Sequence, residues 1–579
     1  MGGPFLAFLR LAHRKGLALA NPVFRTTGRL PAGRLRRSAV CSTAMRNERF
    51  AVLTAGLGLL FGAAALFGAN KQTLGLFHDD AVYTVVAKAL YQGDGYRIIS
   101  LPSVPSQTKY PFLYSYLLSW LWTVAPSFPQ NIVVLKALNS ALLAAIFVLS
   151  VIFYRRYLPA SKFAALCFAF LVCANPIVFT FTDYVVSDLL FVALALAALA
   201  LCAGSADSPA STAKIPLLAA LSGLACLTRL AAAPLVLAGA VWALIDRGRR
   251  GALYFCCGVA LFIAPWLLWV YLHAPQSANP LFAYYGAYEF SGAKSAAIGD
   301  WFAGQRTVVA GNARYLLDSF ELLYLLPLMP WLAPFVAALT LLGAIVSARR
   351  EELFVWLFFL ASLALLLIWP FHPGRYVAPL VPLLVLFLFR GMGAVERWIQ
   401  SRGGEESIAS LAAKLIWLPV LLIFVLDGVW LSSYLLIRDE QTTRGLYGSR
   451  APYGWRGFEE SFAWLRAHTP ADALLATAYD PMYFLYTGRR AIRPALHRSA
   501  SYFYPYGAAN PDVGSAAEIK SALDALRADY LIIDPLDGYA EGRATLKMLG
   551  ELVASYGERA KIVFTSSDGK HKIYSLAVK

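Results

Sequence analysis

Charge is scarce in this chain of 579 residues. Only 15% of the residues are Asp, Glu, Lys or Arg, against roughly a quarter in an ordinary soluble domain, and 59% are hydrophobic. That balance, with a mean hydropathy of +0.57, excludes a soluble globular protein and indicates a polytopic membrane protein. Cysteine is sparse as well. Cys167, Cys173, Cys202, Cys226, Cys256 and Cys257 lie in apolar stretches, Cys41 lies in the N-terminal arm, and none follows Cys257. No disulfide framework is implied, and no Cys/His spacing resembles a zinc site. Gly-rich phosphate loops, HExxH and GxSxG motifs are also missing, so ATP-driven transport and serine hydrolysis have no positive support. Acidic residues are almost absent from the first 49 positions, where Glu48 stands alone against Arg10, Arg14, Lys15, Arg25, Arg29, Arg34, Arg36, Arg37, Arg46 and Arg49. The formal charge of +17 comes largely from loops and termini flanking apolar runs. Such placement fits the positive-inside rule rather than nucleic-acid binding.

Runs long enough to span a bilayer, roughly 20 apolar residues each, recur between Phe50 and Ile437. Three regions are expected: a basic leader over 1–49, a transmembrane domain over 50–437 and an extracytoplasmic domain over 438–579. The leader reads as a partly disordered cytosolic arm or as an over-extended gene start, since Met45-Arg46-Asn47-Glu48-Arg49 is a normal beginning for a membrane protein. With the arm inside, the loop over 70–131 lies outside. Arg155, Arg156 and Lys162, then Arg247, Arg249 and Arg250, then Arg349 and Arg350 mark inner turns. Pro111–Val124 is short and reads as an interfacial segment. The stretch Ile215–Ile245, interrupted by Arg229 and Pro234, reads as one broken helix or two short ones. A second long outer loop covers 273–320. The tally is about eleven spans, with eleven to thirteen allowed by the run lengths. The fold class is therefore mainly α: a polytopic transmembrane bundle with a small α/β domain at the C-terminus.

The tail carries its own pattern. Phe458–His468, Ser515–Arg527 and Ala544–Tyr556 have helical period. Ala473–Ala478 and Tyr530–Asp534 read as buried strands, and Lys561–Thr565 with Lys572–Val578 reads as a hairpin about Asp568-Gly569. This domain would stand over the outer loops.

Chemistry is sought where membrane meets water, and ionisable residues at membrane depth are costly and tend to be functional. Asp79 and Asp80, in Phe77-His78-Asp79-Asp80-Ala81-Val82-Tyr83, directly follow the first span. They are either a solvated loop pair or a catalytic base with its neighbour. Lys109, Asp183, Asp188, His372 and Arg375 lie on the same expected side. Asp188 also suits a helix first turn, where acids satisfy free backbone N–H groups. Arg375 before a helix runs against that preference, and its guanidinium fits either phosphate oxygens or lipid headgroups. Arg229, inside a span without a partner nearby in sequence, reads as a buried structural ion or a snorkelling side chain.

In order, Asp79-Asp80-Ala81-Val82-Tyr83, Gly93-Asp94-Gly95-Tyr96, Lys109-Tyr110-Pro111-Phe112-Leu113-Tyr114, Ser187-Asp188-Leu189-Leu190, Leu227-Thr228-Arg229 and Arg375-Tyr376-Val377-Ala378-Pro379 resemble the type C glycosyltransferases. The branch most similar contains the protein O-mannosyltransferases (glycosyltransferase family 39) and the lipid A aminoarabinose transferase. Phe112 departs from the family's second Pro, and Asp80 replaces a common Glu, so the resemblance carries over more firmly to Asp79. It implies inverting transfer of a sugar from a polyprenyl-phosphate donor to an extracytoplasmic protein, lipid A or glycan acceptor, at the cytoplasmic membrane. Under it Asp79, supported by Asp80, is the catalytic base. Lys109 and Arg375, with His372, hold the leaving phosphate, and Asp188 positions Lys109 or a sugar hydroxyl. Tyr83 and Tyr110 complete the substrate site. No cofactor is certain. A divalent cation on the two acids would suit hard carboxylate ligands, and metal residues are unknown. The alternative from another class is a lipid-linked sugar transporter or flippase, or an envelope assembly scaffold. A transporter should carry charges midway in its spans, whereas here they cluster at outer ends.

Overall fold

The computed structural model describes residues 33–158, 161–203, 214–273, 279–286, 306, 308–317, 320, 330–348, 352–369, 373–402, 415, 417–443, 455–496, 513–536 and 540–576. The described residues of 54–579 form one compact unit, and those of 33–53, all helical, belong to another.

Apolar helices dominate. Helix α1 (Gly33–Gly68) contains the crossing segment Asn47–Gly68. It is followed by α2 (Asp79–Gln92), α3 (Phe112–Val124), α4 (Ile132–Tyr157), α5 (Lys162–Cys173), the single turn α6 (Pro176–Phe179), α7 (Asp188–Cys202) and α8 (Lys214–Thr228). After these come α9 (Ala233–Leu272), α10 (Ala333–Val346), α11 (Leu353–Ile368), α12 (Val381–Arg402) and α13 (Leu418–Thr443). At 1.5 Å per residue, the 40 residues of α9 would reach about 60 Å, twice the hydrocarbon thickness. The helix does not run straight. Gly248 has φ 69° and ψ −167°, inside the charged run Asp246–Arg250. Gly239 packs against the ring of Phe255, a contact that a continuous helix would keep far apart. Thus α9 is a helical hairpin, and the stretch Ile215–Ile245 is two helices that break at Arg229.

Four described helices are long and apolar enough to cross, counting α9 once. The bent pair Lys162–Cys173 and Pro176–Thr182, at 58°, makes a fifth, and five shorter apolar helices accompany them. Among the described residues, four or five segments are thus of spanning length, against the eleven or so spans expected from the sequence, and the shorter apolar helices and the second limb of α9 accompany them. The short α3 keeps Trp120 and Val124 exposed, as a segment lying at an interface would.

Small residues set the helix crossings. A Cβ on Gly343 of α10 would overlap the carbonyl of Phe387, and one on Gly391 of α12 the carbonyl of Leu339. The two helices therefore meet backbone to backbone, which only glycine allows. Gly58 and Gly62 of α1 face the Ala144 and Ser140 carbonyls of α4 in the same way.

The C-terminal elements are α14 (Trp455–His468), β1 (Leu475–Ala476), α15 (Asp480–Thr487), β2 (Ala491–Ile492), α16 (Ala516–Leu526), β3 (Tyr530–Ile533), α17 (Ala540–Tyr556), β4 (Lys561–Thr565) and β5 (Lys572–Ser575). The sheet order is β2-β1-β3-β5-β4. β1 runs parallel to β2 and β3, while β5 is antiparallel to β3 and β4. α15 and α16 are the crossovers that parallel pairing requires. Ser515 and Glu518 start α16 with a reciprocal capping box, and Gly569 at φ 72° turns the β4–β5 hairpin.

Gly391→Leu should force α10 and α12 apart and lower stability by about 1–3 kcal/mol or more, as overpacking does. The check is the thermal unfolding midpoint in detergent, with Gly393→Leu, whose Cβ position faces only the tip of Arg397, as the tolerated control.

Candidate active site

The loop from Asn70 to His78 is short and held at many points, and that restraint determines where its acids go. Asn70 Oδ1 accepts from the amides of Gln72 and Thr73, while the Asn70 amide donates to Asp183 at 2.8 Å and its carbonyl accepts from Lys136 at 2.7 Å. Lys136 and Asp183 form a buried ion pair of 3.2 Å. His78, at φ 62°, turns the chain into α2 without capping it. Asp79 and Asp80 then occupy the first turn, where carboxylates complement the exposed amides and the helix dipole.

The two carboxylates diverge. Asp80 is 3% exposed and turns inward, accepting from the Ala81 amide at 2.8 Å and the Gly75 amide at 3.0 Å. Burial raises its pKa to about 6, with the neighbouring charge of Asp79 adding to the rise and the two amides and Lys136 opposing it. Asp79 faces the pocket. Burial also pushes its pKa up, but the Arg375 guanidinium and the Tyr110 hydroxyl outweigh that effect and hold the carboxyl at about 2. Tyr110 donates to Asp79 Oδ1 at 2.5 Å, and Arg375 Nη1 donates to Oδ2 at 2.7 Å.

Arg375 continues the chain of charges. Its Nη2 donates to Asp188 Oδ2 at 2.9 Å, and Arg229 Nη1 donates to the same oxygen at 2.7 Å. Four charges thus alternate as Asp79, Arg375, Asp188 and Arg229. Each comes from a helix end or break: the start of α2, the turn Gly374–Leu380, the start of α7 and the gap between α8 and α9. Ser187 hydrogen-bonds the Tyr83 hydroxyl at 2.9 Å, and the Tyr376 ring lies 4.9 Å from the Arg229 guanidinium. Lys109 enters from the other side, donating to the Tyr284 carbonyl at 2.9 Å and standing 3.8 Å from the Tyr284 ring centre. A pocket between these groups is lined by Asp79, Tyr83, Lys109, Tyr110, Arg229 and Tyr376, with Trp369 and Pro111 on its apolar wall.

The sequence-derived residues Asp79, Tyr83, Lys109, Tyr110, Asp188 and Arg375 are therefore brought together. His372 lies outside the described residues. Asp188 is engaged by Arg229 and Arg375, and Asp183 by Lys136. Arg229, Tyr284, Trp369 and Tyr376 join the site without having been singled out for it. Arg229 did carry a signal, being a cation inside an apolar stretch, but its acid partner lies 41 residues away. The donor set does not suit a divalent cation. Asp79 is salt-bridged, Asp80 is turned to backbone amides, and among the described residues no three His, Cys, Asp or Glu side chains converge.

Asp80 gives a pH signature. Its folded pKa lies above the ordinary carboxyl value, so it stabilises the fold while protonated, and that stabilisation is lost as pH rises through about 6. Between pH 4 and pH 7 the wild type should lose up to about 3 kcal/mol relative to Asp80→Asn. Denaturation followed across that range in detergent measures the difference.

No protein-family model and no curated protein sequence matches the chain. Solved structures do share its fold. ArnT from Cupriavidus metallidurans bound to undecaprenyl phosphate is 12% identical, with a TM-score of 0.54 over 91% of this chain and 98% of that one. The archaeal oligosaccharyltransferase AglB from Archaeoglobus fulgidus, in complex with an inhibitory peptide and a dolichol-phosphate, is 12% identical, with a TM-score of 0.53 over 92% of this chain and 74% of that one. Both are type C glycosyltransferases, and theirs is the fold that this chain adopts.

Proposed function

We propose that the protein is an inverting glycosyltransferase that moves a sugar from a polyprenyl-phosphate carrier to a hydroxyl-bearing acceptor on the extracytoplasmic side of the cytoplasmic membrane. The observation that carries this reading is the pocket itself. Asp79, Lys109 and Arg229 line it, and Arg375, ion-paired to both Asp79 and Asp188, stands beside it, on a fold shared with proteins solved with undecaprenyl phosphate and dolichol-phosphate.

Without donor, the cations are occupied by carboxylates and a carbonyl. A donor phosphate entering the pocket competes for Arg375 and Lys109, because charge-assisted bonds to phosphate oxygens are strong and a guanidinium binds them in a forked geometry. Asp188 and Arg229 keep Arg375 in place while its Nη1 turns from Asp79 to phosphate. Losing that partner leaves Asp79 buried beside a new negative charge, and both changes raise its pKa. The base thereby gains strength only when donor is bound. The acceptor oxygen then attacks the anomeric carbon from the face opposite the phosphate. The new O–C bond forms, the C–O bond to phosphate breaks with its electron pair leaving on the phosphate, and the acceptor proton passes to Asp79. Lys109 and Arg375 stabilise the charge that develops on the phosphate. Tyr110 orients Asp79, and apolar walls between helices accommodate the prenyl chain.

In a strain lacking the chromosomal copy, the wild-type gene should restore the missing sugar in the envelope lipid, polysaccharide or glycoprotein profile. Asp79→Asn at equal expression should reduce product by at least roughly a hundredfold, the lower end of what a general base contributes. Full restoration by Asp79→Asn would overturn the assignment. For the cations, undecaprenyl phosphate titrated into purified protein should bind about 10–100-fold more weakly to Arg375→Ala, equivalent to one charge-assisted hydrogen-bonding group.

A further inference from the structure

We propose that Asp480 of α15 is a positioning residue for Asp79, acting through His78, so that the C-terminal domain forms part of the active site. The inference rests on Asp79 being the proton acceptor.

His78 directly precedes the base and holds a positive-φ, γ-turn backbone conformation, φ 62° and ψ −57°, that costs a residue with a Cβ about 1 kcal/mol or more. Such a conformation persists when its surroundings impose it. Here the surroundings come from two other segments. Nε2 of His78 meets Asp480 Oδ1 at 3.1 Å, and Nδ1 meets the Tyr284 hydroxyl at 3.3 Å. Asp480 is fully buried at the first turn of α15. Tyr284, from the turn Pro280–Tyr285, also supplies the carbonyl that accepts from Lys109. One ring and one carboxylate therefore fix the residue before the base, while Lys109 is held by the Tyr284 backbone carbonyl and not by this side-chain contact.

The rest of α15 clamps the same loop. Met482 packs on Gly75, whose φ of 111° and lack of a Cβ allow the approach. Tyr486 accepts from the Leu74 amide at 3.2 Å and donates to the Gln72 carbonyl at 2.9 Å. The helix itself is fixed to its own domain, because Tyr483 donates to the buried Asp534 at 2.8 Å, and Asp534 in turn meets His571 at 2.9 Å. Rigidity passes from the sheet through α15 to His78, and from His78 to Asp79, whose amide closes a tight turn on the Phe77 carbonyl at 2.8 Å. A domain that merely capped the bundle would not need a buried carboxylate aimed at the residue next to the base.

The test compares full-length Asp480→Ala, Asp480→Asn and His78→Ala in detergent and in a deletion strain. Three quantities are read: deuterium exchange over residues 70–82, binding of undecaprenyl phosphate, and product formation by complementation. Asp480→Ala should speed exchange at the Asp79 and Val82 amides at least tenfold and cut product at least tenfold, while undecaprenyl phosphate affinity stays within threefold. Asp480→Asn keeps an acceptor for His78 Nε2 and should restore both exchange protection and product. Wild-type product with Asp480→Ala, or loss of product with no local change in exchange, overturns the proposal. Should Asp480→Ala fail to fold, His78→Ala decides by the same readouts, its ring being part of the bundle's edge rather than of the domain core. An inactive Asp79→Asn beside an active Asp480→Ala defeats this inference alone, whereas an active Asp79→Asn defeats the assignment of the base as well.

Discussion

Arg375 is shared between two carboxylates, and most of the site depends on how that sharing is arranged. A guanidinium presents several donors in a rigid fork, so Asp79 and Asp188 can each take one edge, with Arg229 balancing Asp188 from behind. Removing one member from a partly buried set leaves an uncompensated charge, which costs far more than the intact set contributes. The arrangement is thus less a source of stability than a constraint on geometry. In the proposed mechanism it also makes the basicity of Asp79 conditional, because the group that suppresses it is one that a phosphate can take.

The membrane explains why the charges are where they are. Within hydrocarbon every backbone group must be satisfied internally, so the bundle places its irregular backbone at helix ends and breaks. Arg229 sits between α8 and α9, Arg375 in the turn before α12, Asp188 at the start of α7 and Asp79 at the start of α2. Those four interruptions converge on one pocket. Glycines such as Gly343 and Gly391 bring helices of the bundle into backbone contact.

How much of this could be read from sequence varies with the length scale of the signal. Apolar runs gave the mainly α membrane bundle, and the short apolar run Tyr530–Ile533 with the hairpin signal about Asp568-Gly569 located strands that pair in the sheet. β2 was not visible, because two residues, Ala491 and Ile492, carry no period. Asp79 stood out through its neighbours, and its separation from Asp80 appears physically as one carboxylate in the pocket and one turned to the Gly75 and Ala81 amides. The pairing of Arg229 with Asp188 and of Lys136 with Asp183 was hidden, since both depend on which helices pack together. Asp188 was expected to position Lys109 or a sugar hydroxyl, whereas it meets two arginines and Lys109 meets Tyr284. The His78–Asp480 contact joins positions 402 residues apart, a distance across which no local pattern in one sequence reaches.

The central claim is that donor phosphate takes Arg375 from Asp79 and so turns a suppressed carboxylate into a base. Infrared difference spectroscopy of the purified protein, with the Asp79 carboxyl identified by its absence in Asp79→Asn, measures this directly as a titration with and without undecaprenyl phosphate. The account predicts a midpoint near 2 in the free protein that rises by at least one unit when undecaprenyl phosphate is bound. A midpoint that stays in place with the lipid phosphate bound would contradict it.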